Sequence, residues 1–205
     1  MEPEEKILLC DLDGTLSSSK WRDPLVEGDR KRWPEYYKGI PFDNIVPKVK
    51  AILEKAITDG CRIIYITARE ESLDETRKRT DGTVEKTVLP VRKWTEDWLS
   101  KHSAPGWGSG ALLFMRKHKD HRPSSVVKED VIKKYLGGNK TGNIVMGLDD
   151  NENVITMYKR YGIKNSILVS DPGIPPNLQK QHDDFMKTVP TAQVLLSAAK
   201  ILIKT

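Results

Sequence analysis

Lys6-Ile7-Leu8-Leu9-Cys10-Asp11-Leu12-Asp13-Gly14-Thr15-Leu16 is an apolar run that breaks into two aspartates one residue apart, followed by a glycine. Ile7 to Cys10 have the length and continuity of a strand buried on both faces, so Asp11 falls where that strand leaves its sheet. Open α/β sheets bind their ligands at that edge. If the strand runs straight on, period-two alternation points Asp11 and Asp13 the same way, and Gly14-Thr15 permits a sharp turn directly afterwards. Two carboxylates ahead of a flexible turn suit a hard cation and an anionic substrate. Asp and Gly after a strand are also ordinary turn residues, so the stretch needs support from the rest of the chain.

Around it the chain alternates strand-like and helix-like segments, the pattern of a mostly parallel sheet covered by helices. Ser17 to Phe42 is polar, rich in Trp, Arg, Tyr and Pro, and reads as an active-site loop with short helical pieces. Ile45, Val49, Ile52, Leu53 and Ile57 recur at helical spacing and are closed by Asp59-Gly60. Strands are expected at Arg62 to Thr67, Ala111 to Met115, Asn143 to Leu148 and Ile167 to Ser170. Glu70 to Lys86 is charged and reads as a loop or an irregular helical excursion. Val91, Trp94, Thr95, Trp98 and Leu99 mark an amphipathic helix with its tryptophans on the apolar face. Gly137 to Gly142 lacks the glycine spacing of a nucleotide-binding loop and is expected to be a turn. Val194, Leu195, Leu196, Ile201 and Leu202 belong to a last helix expected to pack back on the domain.

Three further strand ends carry chemistry. Thr67-Ala68-Arg69 closes the second strand with a hydroxyl and backbone amides able to donate to a phosphate. Arg116 ends the third, ahead of a basic run that leads to Lys128 at the expected start of a helix bearing Val127, Val131, Ile132 and Tyr135. A lysine there opposes the helix dipole, which an anionic partner would explain. Asp149-Asp150 closes the fourth strand, just before a helix with Val154, Met157, Tyr158 and Tyr161.

The chain has 205 residues, 38% hydrophobic and 31% charged, which suits a soluble globular protein. No apolar segment approaches the ~18 residues of a membrane span, and the acidic start Met1-Glu2-Pro3-Glu4-Glu5 is unlike a secretory signal. A cytoplasmic location is the expectation, with no membrane partner. Cys10 and Cys61 lie in or beside apolar runs and read as reduced core cysteines. A net charge of +5 is compatible with a polyanionic partner but does not by itself identify one.

The string Asp11 to Leu16 resembles motif I of the haloacid dehalogenase phosphatase superfamily. Thr67 matches its second motif, Lys128 its third and Asp149-Asp150 its fourth, in family order over residues 6 to 155. The resemblance implies a Rossmann-like α/β fold with a mostly parallel central sheet flanked by helices. It also implies one domain over residues 1–205, with 17–44 and 70–90 as active-site loop insertions. The intervals Leu16 to Ile45 and Arg69 to Ala111 are too short for a separate cap, which needs upward of ~50 residues. By resemblance Asp11 is the nucleophile and Asp13 a general acid/base, while Thr67 and Lys128 hold the phosphoryl oxygens. Magnesium would be held by Asp11, the Asp13 backbone carbonyl, Asp149 and Asp150.

A narrower resemblance, to the 3′-phosphatase domain of bacteriophage polynucleotide kinase/phosphatase, rests on Met115-Arg116, Asp120, Arg122, Val127-Lys128 and Arg22. Ala68 departs from it, standing where that relative has glycine. The implied substrate is the 3′-phosphate of a DNA or RNA end, with Arg22, Arg69 and Arg116 on substrate phosphates. A separate kinase or ligase is the implied working partner. Two alternatives stay open, a mononucleotide or small-metabolite phosphatase and a non-catalytic phosphate-binding module.

Overall fold

β1 (Lys6–Cys10) is apolar on both faces because it lies in the middle of a sheet, with Leu8, Leu9 and Cys10 fully buried. The computed structural model describes residues 5–137, 141–171, 173 and 183–184. After β1 come β2 (Ser17–Ser18), a 3-10 turn at Lys20–Leu25, α1 (Trp33–Lys38), a second turn at Ile40–Phe42 and β3 (Asn44–Ile45). α2 (Pro47–Thr58), β4 (Cys61–Glu70), β5 (Leu73–Lys78), β6 (Val84–Leu89) and α3 (Val91–Lys101) follow. The chain continues through β7 (Leu112–Arg116), α4 (Ser124–Tyr135), β8 (Ile144–Asp149), α5 (Glu152–Arg160) and β9 (Asn165–Leu168). The central sheet runs β7-β4-β1-β8-β9, every neighbouring pair parallel. This is the helix-covered parallel sheet expected from the alternating pattern and the Rossmann-like α/β fold implied by the resemblance. Neither the β2–β3 interval nor the β4–α3 interval holds a separate cap domain.

Alternation along the strands sorts the core into two faces. Ile7 and Leu9 of β1 join Ile64 and Ile66 of β4 and Val131, Ile132, Val154 and Met157 of α4 and α5 in one buried cluster. Each such side chain, fully buried, contributes roughly 1.5–3 kcal/mol. Leu8, Cys10, Ile63 and Tyr65 fall on the opposite face, where Ile63 and Ile57 of α2 meet beside Gly106. Asp11 is the next odd-numbered residue after Ile7 and Leu9, so the same alternation delivers it to the side of α4. Cys10 is buried, Cys61 half-buried, and both are free thiols.

Several elements differ from the sequence reading. Residues 73–89 form an antiparallel hairpin, not a loop or helical excursion, with Leu73 opposite Leu89 and Glu75 opposite Thr87. Its turn is Asp81-Gly82, with Gly82 at φ +85° and the Thr83 amide donating to Asp81 at 2.9 Å. Charged residues hid the strand pattern, because a two-stranded ribbon leaves much of both strands in solvent. α4 begins at Ser124, so Lys128 sits in its second turn and not at its start. The fifth strand lies about two residues earlier than expected.

The chain divides into two compact units, Met1–Gly173 and Ile174–Thr205. The first holds every element above. The expected last helix, and Gly138 to Lys140 of the expected turn, lie outside the described residues. Among the described residues no helix is long and apolar enough to cross a membrane.

Candidate active site

Parallel strands all end on one edge, and β1, β4, β7 and β8 there deliver Asp11, Thr67, Arg116 and Asp149 to a single cleft of about 560 Å³. Asp11 is 4% exposed and Asp149 fully buried. Lys128 reaches between them from α4, its Nζ donating to Asp11 Oδ1 at 2.6 Å and to Asp149 Oδ2 at 2.7 Å. The anionic partner expected for Lys128 is therefore this carboxylate pair, and its position in the second turn removes the conflict with the helix dipole. Burial opposes the lysine's charge, but Asp11 and Asp149 outweigh it and raise its pKa.

One cation does not balance the acids gathered here. Asp11, Asp149 and Asp150 each offer an oxygen within 4.8 Å of the others. Burial raises the Asp11 pKa well above the usual carboxylate range against the pull of Lys128, and Asp149 and Asp150 push it further. Burial and Asp149 bring Asp150 up to about 6. Three oxygen donors with unrelieved negative charge fit a hard divalent cation. Gly14 brings Asp150 close. It has φ +76°, and a Cβ there would run into Asp150 Oδ2, so any side chain meets both backbone strain and a carboxylate.

Asp13 parts company with Asp11. The strand does not run straight on, because the Thr15 and Ser17 amides both return to Leu12 O, at 3.0 and 2.8 Å. Asp13 turns instead to two arginines, Arg69 donating at 2.8 Å from Nε and 2.7 Å from Nη2, and Arg22 at 2.7 Å. Burial pushes the Asp13 carboxyl up, but Arg69 and Arg22 together hold it at about 2. Its side chain stays outside the carboxylate group that could hold a metal.

The three arginines expected on substrate phosphates are not placed alike, since Arg69 and Arg116 line the cleft and Arg22 does not. Arg22 and Arg69 have no exposed side-chain surface. Arg22 Nε donates to Asp43 at 2.8 Å and its Nη1 to Tyr36 O at 2.8 Å. Arg116 spends Nε on Ala68 O and Nη1 on Asp120 O, both at 2.7 Å, and so braces the loop 117–122. In that loop Asp120 pairs with Arg122 at 2.7 Å. Thr67, 2% exposed, lines the cleft and accepts from the Arg69 amide at 3.2 Å.

Two acids escaped the sequence reading. Asp43 is 1% exposed and takes hydrogen bonds from Ser17, Trp21 and Arg22, anchoring the pair that faces Asp13. Nothing local marks it, since it is one polar residue in a long polar loop. Asp171 accepts from Ser18 at 2.7 Å and from the Ser19 and Lys20 amides at 3.0 and 3.1 Å, fixing the segment after β2. It follows a parallel strand on the catalytic edge, the same signal that singled out Asp11 and Asp149.

Comparison with known proteins agrees with this geometry. A family model described as the polynucleotide kinase PNKP phosphatase domain matches residues 5–169. The fold is similar to a chain in a solved Pnkp1/Rnl/Hen1 RNA repair complex, with TM-score 0.55 and 24% identity over 80% of this chain and 42% of that one. A second structure of a Pnkp1/Rnl/Hen1 complex gives TM-score 0.55 and 23% identity over 82% of this chain and 47% of that one. The chain thus spans less than half the length of the solved chains it resembles. A comparison with curated protein sequences finds no match. With the match running from β1 through β9, the chain belongs to the family of polynucleotide kinase PNKP phosphatase domains, of the haloacid dehalogenase fold.

Proposed function

We propose that this chain is a magnesium-dependent phosphomonoesterase that removes the 3′-phosphate from polynucleotide ends. The observation that carries the reading is the joint placement of Asp11, Asp149 and Asp150 within 4.8 Å, with Lys128 bridging the first two. A solvated basic loop would not bury a lysine between two aspartates, so a non-catalytic phosphate-binding module is disfavoured.

In the proposed reaction Asp11 attacks phosphorus in line and the ester oxygen leaves, forming an aspartyl-phosphate that water then hydrolyses. Lys128 holds Asp11 in place and neutralises the phosphoryl oxygens, and Thr67 supplies a hydroxyl donor beside them. Asp13, kept ionised by Arg69 and Arg22, accepts the proton of the attacking water in the second half. In the first half Asp13 gives the leaving oxygen a proton, which its carboxyl carries only with the contact to Arg69 loosened, and the water of the second half returns that proton to it. Asp11, Asp149 and Asp150 would hold the magnesium, with the Asp13 backbone carbonyl as a further ligand, and the ion would neutralise charge between nucleophile and phosphate.

The polynucleotide assignment draws support from the family and from the lack of a cap domain among the described residues, which leaves room for a chain end. The similar Pnkp1 chain sits in an RNA repair complex, which makes a kinase or ligase a reasonable partner for this one. The test is phosphate release from 3′-phosphorylated oligonucleotides, 5′-phosphorylated oligonucleotides and 3′-mononucleotides. Activity is expected on the first, with loss on chelation of magnesium and with Asp11→Asn inactive but folded. Equal activity on 3′-mononucleotides would favour a nucleotidase, and magnesium-dependent turnover by Asp11→Asn would rule out the covalent route.

A further inference from the structure

α1 presents three aromatic residues to the cleft. Trp33, Tyr36 and Tyr37 share one helical face and all line the space that holds Asp11. An aromatic stripe on a short helix ordinarily serves the core, and Tyr36 and Tyr37 do so, at 7% and 4% exposure. Trp33 does not, keeping 38% of its surface open. Its indole stacks on Tyr37, with ring centroids 5.9 Å apart and planes 27° apart, and meets Tyr36 edge-on at 5.5 Å.

The support behind the indole is fixed. The Tyr37 hydroxyl accepts from the Glu70 amide at 3.3 Å, and the Arg22 guanidinium lies 4.2 Å from the centre of the Tyr36 ring. Lys38 pairs with Glu75 of the hairpin. A large flat apolar side chain is thus held in a polar cleft where it cannot collapse inward. The exposed Lys20 and Lys31 also line the cleft, as does Asp23.

We infer that Trp33, backed by Tyr37, is the stacking platform for the nucleobase of the nucleotide that carries the scissile phosphate. The inference rests on the 3′-phosphatase reading above and adds a base-recognition subsite to it. One sugar separates a base from its 3′-phosphate, and a cleft of about 560 Å³ has room for both groups. Stacking tolerates every base, because each has a π face, so the subsite selects a nucleotide end without selecting sequence.

The test compares wild type, Trp33→Ala and Trp33→Tyr on three substrates. These are a 3′-phosphorylated oligonucleotide, the same oligonucleotide with an abasic terminal nucleotide, and p-nitrophenyl phosphate. Trp33→Ala should raise KM for the intact oligonucleotide by roughly tenfold or more, the size of one lost base–aromatic stack. It should leave kcat, the abasic substrate and p-nitrophenyl phosphate nearly unchanged, and Trp33→Tyr should recover most of the loss. Equal losses on intact and abasic substrates, or on p-nitrophenyl phosphate, would make Trp33 a packing residue and overturn the inference. A wild type that prefers the oligonucleotide but ignores the terminal base would overturn the stacking alone. A wild type that hydrolyses the oligonucleotide no better than p-nitrophenyl phosphate would remove the substrate reading and the subsite with it.

Discussion

Asp43 shares one buried carboxylate among Ser17, Trp21 and Arg22, and through Arg22 it sets the charge balance around Asp13. Removing it leaves a guanidinium with no exposed surface short of its nearest counter-charge. Breaking a buried pair in this way costs about 3–5 kcal/mol. Asp43→Ala should therefore lower the melting temperature by on the order of 10 °C in a chain of this size, read by thermal denaturation. Activity should fall as well, because Arg22 would then lean on Asp13 alone. Lys128 stands in a comparable position between Asp11 and Asp149, but its partners lie at strand ends that announce themselves. Asp11 and Asp149 were legible because each follows an apolar strand on the ligand-binding edge. Asp43 was not, since its partners Ser17, Trp21, Arg22 and Arg69 are scattered along the chain and share no sequence spacing with it.

At the scale of elements, the turn after β1 decides whether the acids meet. Gly14 is there for two reasons, its positive φ and the approach of Asp150 Oδ2 to the place a Cβ would take. Gly14→Ala should cost roughly 1–3 kcal/mol from the backbone conformation alone and push Asp150 away from Asp11. The expected result is a moderately less stable protein with greatly weakened magnesium affinity, measured by metal titration beside a melting curve. The parallel sheet was readable from its apolar runs, because strands buried on both faces must be apolar throughout. The β5–β6 hairpin was not, because only part of it is buried and its alternation is masked by charges. The start of α4 was misplaced for a related reason. Pro123-Ser124-Ser125 is a polar helix entry that carries no apolar periodicity, so the helix looked as if it began nearer Lys128.

Within the first unit the cleft is walled by short insertions. Such a cleft should favour chain ends over free nucleotides at low salt. Hydrolysis of a 3′-phosphorylated oligonucleotide should then lose its advantage over the 3′-mononucleotide as salt rises, with a log–log slope of about −0.7 for each additional phosphate neutralised. Steady-state kinetics across a salt series would show it, and a salt-independent ratio would count against contacts to the strand. The position of β1 in mid-sheet, paired with β4 on one side and β8 on the other, has a further consequence. Local opening begins at the margins of a fold, where few buried groups must be exposed, while a central strand is freed only by global unfolding. Asp11 and Asp149 thus sit on the most protected backbone of the unit, whereas the walls of the cleft, α1, the hairpin and the loop 117–122, belong to its periphery. A change in the exposed part of those walls therefore acts on the shape of the cleft and the fit of a substrate, while the strands that carry the carboxylates stay in place.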